Sequence, residues 1–114
     1  MSTPIKASKI GVLAPIEIWE VMLDNRTIKF HQPLVIQPEI LPPESEKDRI
    51  YFAVDIPDLN ISVHADNRED LFEFVHSDIR FVWKRIVELP DAELDAQSLT
   101  IKSNYHAIAE AVDG

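Results

Sequence analysis

A change of hydrophobic period within residues 50–87 is the feature that most constrains the fold. Apolar residues alternate with polar ones over 50–56 and again over 59–65, and a period of two is typical of strands with one buried face. Pro57-Asp58 supplies the corner between these runs. The spacing then becomes helical, with an apolar stripe formed by Leu71, Phe72, Val75, Ile79, Val82, Trp83 and Ile86. The sequence therefore predicts a strand–strand–helix unit.

The predicted helix has a start and a stop signal. Asp66 or Asn67 can accept backbone N–H bonds as the N-cap, and Pro90 places the end of the helix near 87–89. The side opposite the stripe is predicted to face solvent and carries Glu73, Ser77, Arg80 and Lys84.

Phe74 and Phe81 do not fit the stripe, since they lie about 100–120° from its centre. Either a neighbouring strand covers them or they form a contact surface. Covering by a strand is favoured, because exposed Phe pairs are unusual on a monomer. Both residues are nevertheless kept as candidate partner-binding residues.

The first part of the chain is predicted to form a hairpin. Residues 15–23 are compatible with a helix beginning at Pro15, but the turn-forming pair at 24–25 favours a strand that leads into a second strand at 26–31. Pro33 is expected to break that second strand or to confine its end to a sheet edge.

The remaining segments are less regular. Residues 38–48, PEILPPESEKD, are predicted to form a stiff, charged surface connection between the two hairpins. Residues 91–97 are expected to form a loop or a short helical turn, and 98–102 a final strand. Tyr105, Ile108, Ala109 and Val112 then predict a closing helical turn, capped at 103 or 104.

Composition indicates an ordinary soluble protein, with 46% hydrophobic and 27% charged residues in a chain of 114. That length predicts a single domain over 1–114, with a loose N-terminus over 1–12. The absence of cysteine excludes disulfides, thiol chemistry and cysteine-ligated zinc. No apolar run approaches the roughly 20 residues of a membrane span, and no secretory signal is recognisable, so a cytoplasmic protein without membrane contact is expected.

The net charge indicates which kinds of partner the protein can bind. Eleven Lys and Arg against twenty Asp and Glu give a net charge of −9, which disfavours direct nucleic-acid binding. The negative field favours a basic protein partner, although it also serves solubility alone. Neither of the two glycines lies in a phosphate-binding loop, so nucleotide chemistry is disfavoured and no cofactor is predicted.

A small metal-dependent hydrolase is the catalytic alternative. His64 and Asp66 share a strand face, Asp55 is predicted to share the outward face with His64, and His31 is a further candidate from a third strand. Such a set can hold zinc or iron or act as a general acid/base pair. The spacing matches no compact ligand motif, however, and Asp66 suits a helix cap, so no metal-binding or catalytic residue is predicted.

The central unit resembles the HicB-like antitoxin family. Residues 51–59 (YFAVDIPDL) are similar to the family's first strand ending in Pro-Asp, 60–66 to its second strand, and 67–71 (NREDL) to its helix entry. The resemblance implies a partial RNase H-like sheet under a long helix, and a module that neutralises a small basic ribonuclease-type toxin. The family's DNA-binding segment is not expected here, since 89–114 is short and acidic.

The predicted fold is α+β, a small antiparallel sheet of three to five strands with one long amphipathic helix packed on one face. The predicted function is a non-catalytic acidic interaction module. Its alternative is a self-associating structural subunit, in which sheet edges of two copies pair to form a dimer. The candidate contact residues are the strand residues Tyr51, Asp55 and His64 and the helix residues Phe74 and Phe81.

Overall fold

The computed structural model describes residues 14–41 and 51–113. The described chain is α+β, as predicted, but it has two three-stranded antiparallel sheets instead of one sheet, with strand orders β1-β2-β6 and β3-β4-β5. The strands are β1 Ile16–Met22, β2 Arg26–Ile36, β3 Glu39–Leu41, β4 Tyr51–Ile56, β5 Ile61–Ala65 and β6 Ala109–Asp113, and the two α-helices are α1 Arg68–Val82 and α2 Ala96–Ile108. The predicted loose segment 1–12 lies outside the described residues.

The first sheet is built on the predicted β1–β2 hairpin. The N–H of Leu23 donates to the carbonyl of Arg26 at 2.8 Å, which closes the turn at 24–25. The prediction of a strand over 15–23 is therefore confirmed.

The second strand extends beyond the predicted end at 31, but Pro33 interrupts its regular pairing and its last part lies at a sheet edge, as predicted, because β6 pairs only with residues 26–30. β2 continues past His31 to Ile36, and Pro33 lies inside a register shift, because Ile18 pairs with Leu34 whereas Glu20 pairs with Lys29. A bulge leaves its extra residues outside the ladder, so a proline there removes no ladder hydrogen bond and the strand continues.

The predicted strand–strand–helix unit is confirmed as β4, β5 and α1. A 3₁₀ turn over Pro57–Leu59 and a left-handed Asn60, with φ of 56°, make the corner. β3 pairs with β4, which corrects the prediction that all of 38–48 is a surface connection. Residues 42–50, including Ile50, lie outside the described residues.

The long helix begins where the sequence predicts, and it reaches the predicted end through a π-helical turn that follows α1. The side chain of Asn67, not Asp66, is the N-cap and accepts the N–H of Asp70 at 2.8 Å. Beyond Val82 the helix continues as a π-helical turn over Trp83–Val87. The apolar stripe is buried, with the exceptions of Ile86, which is half-buried, and Phe72, which is exposed.

The position of Phe72 along the helix explains its exposure. Trp83 has nearly the same angular position on the helix, and it is buried because α2 covers it, with its ring 6.0 Å from that of Tyr105. Phe72 lies three turns earlier, beside His76, with 4.3 Å between the ring centroids. None of the described elements covers Phe72 in the way that α2 covers Trp83.

The C-terminal prediction was wrong in its element types. Residues 98–102 lie in α2, which Asp95 caps by accepting the N–H of Ser98 at 2.7 Å. Ile101 and Tyr105, four residues apart, turn toward the core as helical spacing requires. The predicted closing helical turn is partly α2 and partly the strand β6, which pairs with β2.

The buried residues of both sheets and both helices form one hydrophobic cluster. Tyr105 is completely buried, and its hydroxyl donates to the carbonyl of Leu59 at 2.8 Å. The inner faces of both sheets pack toward the helices, and outward side chains such as Trp19 and Tyr51 are exposed. Among the described helices, none combines the length and the apolar character that a membrane crossing needs.

Candidate functional site

The outer face of the second sheet carries three of the five candidate residues. Tyr51, Asp55 and His64 are all exposed, and the ring of Tyr51 meets that of His64 edge-on with 6.0 Å between centroids. The register pairs Asp55 with Ser62 and Ala53 with His64. The structure therefore brings these three residues onto one face, as strand alternation predicts.

The edge of β5 is joined to helix α1 by one hydrogen bond. β5 is the last strand of its sheet, and the N–H of Ser62 donates to Oδ2 of Asp78 at 3.2 Å. The N–H of Ser62 therefore points away from β4. Because residues two apart on an antiparallel strand direct their N–H and C=O groups to the same side, those of His64 also point outward. One donor of the edge is thus satisfied by the helix, and the backbone of His64 is available for pairing.

Phe74 and Phe81 lie beside this edge. They are four residues before and three residues after Asp78, so they share its side of the helix. Phe74 is 44% exposed and Phe81 is 58% exposed. The favoured prediction that a strand covers them is wrong, because β5 is the edge strand and no described strand lies outside it.

The strand residues lie on the outer face of the sheet and the Phe pair lies on the helix beside the β5 edge, so the two groups that the sequence presents as alternatives are neighbours across that edge. We call the combined set of Tyr51, Asp55, His64, Phe74 and Phe81 the β5-edge surface. The guanidinium of Arg85 lies 5.3 Å from the centroid of the Phe81 ring and adds one positive charge to the helix side. The strand side carries the carboxylate of Asp55. The surface offers aromatic rings, a carboxylate and a strand edge on which, among the described strands, β5 has a neighbour on one side only.

The set of residues considered for a hydrolase is not assembled. His31 lies on β2 of the first sheet, with Nε2 3.8 Å from Oε2 of Glu110. Asp66 accepts the side-chain amide of Asn67 at 3.0 Å at the start of α1. Within 14–41 and 51–113, no three His, Cys, Asp or Glu side chains are grouped so as to hold a metal ion.

Sequence reasoning missed a second exposed apolar surface. On the outer face of the first sheet, Trp19, Met22 and Val35 are 59%, 60% and 58% exposed. The signal was available in the alternation of β1, where Ile16 and Ile18 face the core and Trp19 therefore faces outward. This alternation is hard to recognise in the sequence, because the consecutive residues Trp19 and Glu20 both face outward.

No family model matches the chain, and no curated protein or solved structure shows significant similarity to it. The resemblance to HicB-like antitoxins therefore rests on the residues of the central unit alone.

Proposed function

We propose that this protein is a non-catalytic, cytoplasmic binding module that holds a basic protein partner at the β5-edge surface, as a HicB-like antitoxin would hold its toxin. The observation that supports the proposal is the hydrogen bond between Ser62 and Asp78, because it brings the helix side that carries Phe74 and Phe81 to the edge of β5, where the N–H and C=O of His64 also face outward. Strand edges and exposed aromatic residues are two recurrent means of binding proteins.

The geometry favours addition of an extended segment of the partner as a further strand. The N–H and C=O of His64 would pair with the backbone of that segment. Side chains of an added strand alternate between the two faces, so one set would meet Phe74 and Phe81 and the other set would meet His64 and its neighbours.

The charge of the chain favours a basic partner over a second copy. A net charge of −9 attracts a positively charged protein and repels another copy of the chain. On the contact face itself Asp55 is negative and Arg85 beside Phe81 is positive, so the preference for a basic partner comes from the charge of the whole chain. The Phe rings would supply the desolvated centre of the contact, and the charges around them would accelerate encounter.

The first test is affinity capture from the native host with the tagged protein at low and at high salt. We expect one small basic protein in stoichiometric amount, with less of it retained at high salt. The variant F74A/F81A should reduce the affinity for that protein at least about tenfold, which corresponds to about 1.4 kcal/mol. F72A is the matched control, because Phe72 is exposed on the other flank of the same helix and should retain full binding.

Strand addition is tested separately at position 64. His64→Pro removes the outward N–H without removing a ladder hydrogen bond to β4, whereas His64→Ala keeps that N–H. We expect H64P to lose binding and H64A to retain most of it, with urea unfolding used to verify that both are folded. Equal binding by both variants would contradict strand addition. Recovery of the chain alone, with a sedimentation coefficient that rises with concentration, would favour the self-associating subunit.

A further inference from the structure

The outer face of the first sheet combines exposed apolar side chains with a strand irregularity. Two consecutive residues of a strand normally point to opposite faces, yet Trp19 and Glu20 are both exposed. The register shift between Ile18 and Glu20 lies at this point. Bulges re-aim side chains in this way, and here one places an indole ring and a carboxylate side by side on the same face.

The surroundings of Trp19 are acidic. Glu20, Lys29 and Glu110 are paired across β1, β2 and β6, so the single lysine stands between two glutamates. Glu17, opposite Val35, adds a third carboxylate. This face therefore carries three acidic groups against one lysine and His31, which lies 3.8 Å from Glu110, around apolar side chains that are each more than half exposed.

We propose that this face, here called the Trp19 surface, binds an extended basic segment of a partner protein, with a lysine or arginine of that segment over the Trp19 ring and paired with Glu20. An exposed indole attracts a cation through its π face, and a neighbouring carboxylate strengthens the preference for Lys or Arg. Met22 and Val35 contact the apolar side chains of the segment. A second copy of the chain is a poor occupant, because it would bring the same three glutamates against these three.

The Trp19 surface is distinct from the β5-edge surface, because the two lie on different sheets. The inference therefore does not depend on the proposed function. A partner that contacts both surfaces at once would bind more tightly than it would at either surface alone.

Trp19 itself reports on the test. The chain contains two tryptophans, and Trp83 is buried, so the difference in fluorescence between the wild type and Trp19→Phe is the signal of the exposed ring. The probe is a capped peptide of alternating lysine and valine, and the control peptide alternates glutamate and valine. We expect the lysine peptide to shift the Trp19 emission to shorter wavelength, and the glutamate peptide to leave it unchanged.

Variants identify the surface that the peptide occupies. Glu20→Gln and Trp19→Ala should each weaken binding of the lysine peptide about tenfold, measured by fluorescence anisotropy of a labelled peptide. Phe81→Ala should leave that affinity unchanged. The reverse pattern would place the peptide at the β5-edge surface and overturn this inference while supporting the proposed function.

Three further outcomes would overturn the inference. If acrylamide, an uncharged quencher that the acidic surroundings do not repel, fails to quench Trp19 in dilute protein, the chain itself covers the face. If the emission shifts with protein concentration in the absence of peptide, a second copy is the occupant. If Glu20→Gln, Trp19→Ala and Phe81→Ala all bind as the wild type does, the peptide is held only by overall charge.

Discussion

At the scale of single residues, Tyr105 ties helix α2 to the corner of the β4–β5 hairpin. Its ring is fully buried against Trp83, and its hydroxyl donates to the carbonyl of Leu59. Next to it, the side-chain amide of Asn104 donates to the carbonyl of Asp58 at 2.8 Å. Two successive side chains of α2 thus satisfy carbonyls of the turn that precedes β5, the strand at the centre of the proposed contact.

Removal of the Tyr105 hydroxyl should be costly. Tyr105→Phe leaves the carbonyl of Leu59 without its partner, and a buried unsatisfied acceptor costs about 1–3 kcal/mol. Urea unfolding at neutral pH measures this loss, with Ser103→Ala at an exposed position of the same helix as the control. A loss no larger than that of the control would mean that water satisfies the carbonyl.

The same residue predicts an alkaline limit to stability. Burial, and secondarily the negative charge of Asp78, raises the pKa of the Tyr105 hydroxyl above its usual value of 10.0. Its contribution to stability is therefore present below pH 10 and is lost as the pH rises further, since the unfolded chain releases the proton first. The wild type should lose stability above about pH 10 more steeply than Tyr105→Phe, and equal slopes would contradict the assignment.

Ile79 tests the orientation of α1. The side chain is fully buried at the centre of the stripe, whereas Ser77 is exposed on the opposite side. Ile79→Ala should destabilise the protein by about 2–5 kcal/mol, because it opens a cavity, and Ser77→Ala should be nearly neutral. Similar urea midpoints for the two variants would show that the helix is oriented differently.

At the scale of elements, the N-cap residue Asp95 links the stability of helix α2 to pH. Asp95 accepts the backbone N–H of Ser98, and mainly this hydrogen bond lowers the pKa of the carboxyl below 3.8. A lowered pKa contributes stability that is present above the unfolded value and is lost as the pH falls through the folded value. The α2 helix should therefore be weakened by acid.

Asp95→Asn isolates this effect, because the amide oxygen keeps the cap but does not titrate in this range. The stability difference between the wild type and the variant should shrink or reverse between pH 7 and about pH 3. Urea unfolding followed by circular dichroism measures it, with Asp113→Asn at the end of β6 as the control. A pH-independent difference would show that the carboxylate charge adds nothing to the cap.

Local signals predicted some elements and failed for others. The change of period over 50–87 was enough for β4, β5 and α1, since each element there has its own alternation, corner or cap. The local pattern of 98–108 divides this segment between a strand and a helical turn, although Asp95 marks a helix start. β6 is recognisable only through its pairing with β2, a contact between distant parts of the chain that no local pattern contains.

At the scale of the whole molecule, local patterns predicted the strand residues of the site, whereas the helix residues depend on contacts between distant parts of the chain. Alternation placed Tyr51, Asp55 and His64 on one face. The exposure of Phe74 and Phe81 depends on β5 being an edge strand, and their position beside it depends on the bond from Ser62 to Asp78, 16 residues apart. Whether a surface is an edge is a property of the assembled sheets.

The net charge of −9 gives a final prediction about the stability of the molecule in salt. Repulsion among an excess of nine acidic groups opposes the compact state, and raising NaCl from about 10 mM to about 150 mM shortens the screening length from about 30 Å to about 8 Å. The ion pairs that join separate elements, such as Lys84 with Asp24 at 2.8 Å, act in the opposite direction but are exposed and contribute little. The urea midpoint should therefore rise with NaCl.

Urea is the appropriate denaturant for this measurement because it is uncharged, whereas guanidinium chloride would itself screen the repulsion. Asp24→Asn removes the ion pair with Lys84, whose attraction salt would weaken, so the midpoint of this variant should rise with salt at least as much as that of the wild type. A midpoint that falls as NaCl increases would mean that the ion pairs between elements outweigh the repulsion. Ion pairs within the protein would then explain the acidic residues, and this would weaken the case for a basic partner.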